Sequence, residues 1–149
     1  MFTSILVGTD GSETAHTAVR RAIDLAASLG ARLQIVSAYE PVSDQRLRGE
    51  EVNVPADLQW MINPHDDVMA LLEAARVEAR EAGVKEVETF ARQGDAADAI
   101  VDVAEEQRSD LVVVGNKGMT GATRFLLGSV PNKVSHHAPC SVLIVRTSS

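Results

Sequence analysis

The sequence is poor in the residues from which several kinds of function are built. It holds one cysteine, Cys140. An intrachain disulfide and a four-cysteine zinc site are therefore excluded, and a reducing compartment fits. Aromatic residues make up only 3% of the chain, too few for the stacking platforms that hold single-stranded nucleic acid. Basic residues are outnumbered, 14 Lys+Arg against 21 Asp+Glu, for a formal net charge of −7. No nucleic acid or anionic membrane is expected as partner, because phosphates attract basic patches. No run approaches the ~18 apolar residues of a membrane span. The start, MFTSILVGTD, has no basic segment followed by a long apolar run. No signal peptide is expected, and a cytoplasmic location is.

What remains is the composition of an ordinary globular chain, 149 residues with 45% hydrophobic and 23% charged. A single domain over 1–149 is expected, large enough to bury roughly 68–70% of the unfolded surface. Apolar runs alternate with helical stripes. Ser4–Thr9, Arg32–Tyr39, Val84–Gln93, Leu111–Gly115 and Ser141–Arg146 read as strands. Between the first two, Ala15, Ala18, Val19, Ala22, Ile23, Ala26 and Leu29 recur at three- and four-residue spacing, with Ser12 to cap the start and Gly30 the end. A second stripe, Val68, Leu71, Leu72, Ala75, Ala79 and Ala82, follows Asn63-Pro64 and closes at Gly83. Asp95 with Asp98 opens a third helix with the stripe Ala97, Ile100, Val101 and Ala104, and Val130–His137 forms a fourth. Glu40–Asn63 breaks pattern, with Pro41, Pro55 and Gly49, and reads as a long irregular loop anchored by Trp60.

This alternation implies an α/β fold, a five-stranded parallel open sheet with helices on both faces. The runs ILV, LVVV and VLIV are continuously apolar, as strands covered on both faces should be. Placing the first and fourth strands at the centre gives the order 3-2-1-4-5. Ligands of such sheets bind beyond the strand C-termini, where the winding reverses. Two loops meet there, Thr9-Asp10-Gly11-Ser12 and Gly115-Asn116-Lys117-Gly118.

The second loop belongs to the segment GNKGMTGATRFLLGSV. Gly115 and Gly118 either serve turn chemistry or let the backbone approach a ligand closely. Gly128-Ser129 precedes a helix, whose free N–H groups suit a phosphate. Ser129 can cap that helix, donate its hydroxyl, or both. Lys117 and Arg124 are either phosphate partners or solvated surface charges, and Asp10 is either a ligand contact or a turn residue. Adjacent helical side chains diverge by about 100°, so His136 and His137 do not converge with Cys140 and no metal site is expected.

The spacing Gly115-x2-Gly118-x9-Gly128-Ser129 resembles the nucleotide motif of the universal stress protein family, in its ATP-binding branch. The likeness extends to VGTDGS near the start, DLVVVGNKG in the middle and LLGSVPNKVSHHAPCSVLIV at the end. It implies a Rossmann-like fold, akin to the adenine nucleotide alpha hydrolases, and an adenine nucleotide as ligand: ATP, with AMP or cAMP as alternatives and Mg²⁺ accompanying ATP. It also implies residue roles. Thr9, Asp10 and Gly11 would meet the adenosine part and the backbone of Ala38 the adenine edge. Gly115 and Gly118 would wrap ribose and phosphates, while Gly128, Ser129 and Val130 would hold phosphate oxygens. Pro131 departs from that pattern, because it has no N–H to donate.

Neither GxxxxGK[ST] nor GxGxxG is present. The third strand ends in Arg92-Gln93 and the fifth in Arg146, unlike a response-regulator receiver. No nucleophile–base set and no Mg²⁺ carboxylate cluster is evident, so at most slow ATP hydrolysis is expected. The expected role is a stress-response regulator or sensor. Two other readings stay open: an interaction protein that needs no nucleotide, and a weak ATPase. The last strand is apolar yet lies at an edge, which favours a homodimer through Ser141–Arg146.

Overall fold

The computed structural model describes residues 2–40, 64–116 and 128–147. In chain order the elements are β1 (Ser4–Gly8), α1 (Glu13–Leu29), β2 (Arg32–Tyr39), α2 (Pro64–Glu81), β3 (Val87–Gln93), α3 (Ala96–Gln107), β4 (Leu111–Gly115), α4 (Ser129–His137) and β5 (Ser141–Val145). The expected strand order is the one observed, β3-β2-β1-β4-β5, and every pairing is parallel.

Two apolar cores explain why the central strands have no polar face. One side of β1, β2 and β4 presents Ile5, Val7, Leu33, Ile35 and Val113 to Val19, Ile23 and Leu72 of α1 and α2. The other presents Leu6, Val36, Val112 and Val114 to Ile100 and Val103 of α3 and Val134 of α4. Each fully buried aliphatic side chain of this kind contributes about 1.5–3 kcal/mol. Three polar side chains interrupt the pattern, Ser4 on β1 and Gln34 and Ser37 on β2. Gln34, only 1% exposed on β2, accepts the hydroxyls of Ser4 (3.2 Å) and Ser109 (2.9 Å) on one oxygen. This cross-link holds the N-terminal ends of β1 and β2 to the start of β4.

The helix ends follow local chemistry. Ser12 caps α1 by accepting the Ala15 N–H (3.2 Å), and Gly30 closes it in the left-handed region at φ 66°. Asp95 caps α3 through the Asp98 N–H (3.0 Å). Some expected boundaries are corrected. Strand β3 starts at Val87, not Val84. The Val84 N–H instead bonds back to Ala79 of α2, and its side chain is buried as a plug beneath that turn. In α3 the buried set is Ala97, Ala99, Ile100, Val103 and Ala104. Val101 is only half-buried, because this helix packs on the sheet and on α4 together. Ala82 is exposed past the end of α2. Trp60 and nearly all of the Glu40–Asn63 stretch lie outside the described residues.

Candidate functional site

At the C-terminal end of the sheet, β1 runs straight into the loop before α1. Thr9 is 2% exposed; its N–H bonds to Val36 (3.0 Å) and its hydroxyl oxygen accepts the Gly11 N–H (3.1 Å). Asp10 is exposed and accepts the Ser12 N–H on Oδ1 (2.9 Å), a hydrogen bond within the turn. Gly11 needs its glycine: φ is +85°, and the loop packs against Leu71 of α2. Ala38 is half-buried near the end of β2, opposite Arg92.

The neighbouring strand ends at Gly115. Val7 pairs with Val113, so two residues further along Thr9 comes level with Gly115. A methyl at Gly115 would lie 2.9 Å from Thr147 Cγ2 and 3.9 Å from the Thr14 carbonyl. The missing side chain thus has a packing cause within this chain. Beyond it, the Asn116 carbonyl accepts the Gly128 N–H at 3.0 Å. That bond sets the exit of β4 against the start of α4, the juxtaposition expected from the sequence. Lys117, Gly118 and Arg124 lie outside the described residues.

Helix α4 begins at Ser129, with Gly128 as its cap, one residue earlier than the expected Val130. Among the described residues, no side chain caps it. The Ser129 and Val130 N–H groups have no hydrogen-bond partner among the described residues, and the third position, Pro131, has none to offer. This end can therefore accept an anion at two amides, with the Ser129 hydroxyl beside them. Lys133, one turn further, is held by Asp95 (3.3 Å) and Asp98 (2.9 Å). Hydrogen bonding from the Asp98 N–H, with Lys133 nearby, keeps Asp95 below the usual carboxylate range.

Among the described residues, no group of three or more His, Cys, Asp or Glu side chains is placed to hold a metal. The rings of His136 and His137 have centroids 6.5 Å apart. Cys140 is half-buried, and burial pushes its thiol up. No described helix is long and apolar enough to cross a membrane. At the opposite end of the sheet a hollow of about 570 Å³ is lined by Thr3, Gly30, Arg32, Gly83 and Glu86. There the C-termini of α1 and α2 present carbonyl oxygens, which disfavour an anion.

Sequence reasoning missed the contact between Asn116 and Thr147. They meet only through the sheet, 31 residues apart. No local signal marks that pairing.

The universal stress protein family profile matches residues 1–146. The chain is 37% identical over 147 residues to universal stress protein Rv1636 of Mycobacterium tuberculosis, covering 99% of this chain and 98% of that protein. Among solved structures it resembles a universal stress protein in complex with cAMP, at 36% identity and TM-score 0.72, with 99% and 98% of the two chains covered. The protein MJ0577, at 22% identity and TM-score 0.78, covers 100% of this chain and 99% of its own and shares the fold. A match of this length, on a sheet wound in the order read from the sequence, means that the chain belongs to the universal stress protein family.

Proposed function

We propose that this protein binds an adenine nucleotide in the crevice between the β1–α1 loop and the start of α4, and that occupancy regulates a stress response. The observation that carries the proposal is the Gly128–Asn116 bond. It holds a helix N-terminus beside the end of β4, where two amides without a partner among the described residues and a serine hydroxyl suit a phosphate. In this reading Thr9, Asp10 and Gly11 meet the nucleoside, the Ala38 backbone meets the adenine edge, and Gly115, Gly128, Ser129 and Val130 surround the phosphates. Gly118, Lys117 and Arg124 complete the loop side. ATP is the first ligand to test. A single phosphate, as in AMP or cAMP, has two observations behind it: Pro131 removes a donor, and the 36%-identical relative was crystallised with cAMP. The proposed role is regulatory, with slow ATP hydrolysis as the alternative that a phosphate-release assay tests.

The edge of the sheet supplies the partner. Leu143 and Ile144 are 39% and 37% exposed on β5, and two-fold pairing of β5 with its own copy covers both and removes the bare edge.

Calorimetric titration with ATP, AMP and cAMP tests the binding. Saturable binding of at least one is expected, and no detectable binding of any at millimolar concentration overturns the reading while leaving the fold intact.

A further inference from the structure

Asn116 is used at almost every polar atom. Its N–H donates to the Val145 carbonyl at the end of β5 (2.8 Å), and its carbonyl accepts the Gly128 N–H (3.0 Å). Its side-chain Oδ1 accepts both the N–H and the hydroxyl of Thr147, each at 3.0 Å. The Thr147 methyl in turn occupies the space left by Gly115. The two ends of the 117–127 stretch, the end of the edge strand and the chain's tail are therefore joined at one residue.

We propose that Asn116 is a positioning residue: its side chain ties the end of β4 to Thr147, its carbonyl holds the start of α4, and the two contacts together set nucleotide affinity. The inference rests on the nucleotide reading above and deepens it. Two amides hold a phosphate more tightly when they are fixed before it arrives, because a preorganised site loses less freedom on binding. Gly115 is then a glycine because the tail must pass close to it.

The test compares the wild-type protein with Asn116→Ala, Thr147→Val, the double variant and Thr147→Ser, in titrations with ATP and cAMP. Asn116→Ala loses both bonds and is expected to bind about tenfold more weakly. Thr147→Val loses only the hydroxyl donor, for a loss of about threefold. Thr147→Ser keeps both donors and binds like wild type. The double variant binds no more weakly than Asn116→Ala, because the acceptor is already gone. Wild-type affinity in Asn116→Ala, or losses that multiply in the double variant, overturn the proposal. Amide hydrogen exchange at Gly128 separates this result from failure of the nucleotide reading. If the wild-type protein binds neither ligand, that reading is what has failed; faster Gly128 exchange in Asn116→Ala then upholds the lock, and unchanged exchange overturns it.

Discussion

Asp110 shows how one side chain can fix a chain end. Its carboxylate accepts the Thr3 N–H (2.9 Å), the Thr3 hydroxyl (3.1 Å) and the Ser4 N–H (3.0 Å), tying the entry of β1 to the turn before β4. Burial pushes this carboxyl up, but the donors outweigh it and hold it below the usual range. A carboxyl lowered by folding stabilises the protein above its unfolded pKa, and that stabilisation is lost as pH falls through the folded value. Asp110→Ala should therefore cost about 1–2 kcal/mol at pH 7, a figure discounted for solvent at a half-buried site. In urea denaturation the gap from wild type should narrow steadily on acidification below pH 4. A gap that stays constant would show that the charge contributes nothing. Gly115→Ala is the second test at this scale. The added methyl meets Thr147 Cγ2 at 2.9 Å, so a loss of roughly 1 kcal/mol is expected, relieved in the Gly115→Ala/Thr147→Ser pair. Equal thermal stability of the single and double variants would argue against the contact.

At the scale of the element, Gln34 makes the sharpest prediction. Replacing it with Leu keeps the volume but strands two buried hydroxyls, Ser4 and Ser109, without their acceptor. A loss of about 2–4 kcal/mol is expected by chemical denaturation. A neutral result would mean that the serines find other partners. This network also marks where reading the sequence stops. Ser12 with Gly30 and Asp95 with Asp98 announce their helix ends, because a cap is made by residues three or four apart. The apolar runs of β1 and β4 announce a central position, because burial on both faces leaves no room for polar alternation. Val84 misleads for the same reason that these succeed: an apolar residue beside a strand looks like strand, whatever it is burying. Gln34, Asn116 and Thr147 stay silent because their partners are distant in sequence. At the site, the meeting of the end of β4 with the start of α4 is legible from topology and spacing, whereas the packing cause of Gly115 is not.

For the whole molecule, the exposed apolar edge β5 predicts association. Light scattering at micromolar concentration should give the mass of a dimer, and Leu143→Lys should give a monomer, since a charge on an edge strand opposes pairing. A wild-type monomer would remove the proposed partner. The nucleotide claim has its own discriminating geometry, because the proposed site and the hollow lie at opposite ends of the sheet. Amide chemical-shift mapping during an ATP or cAMP titration follows both ends in one experiment. Saturable shifts at Gly11, Gly115, Asn116, Ser129 and Val130, with Gly30 and Gly83 unmoved, are the predicted result. Shifts confined to Gly30, Arg32, Gly83 and Glu86 would place the ligand at the wrong end and contradict the account.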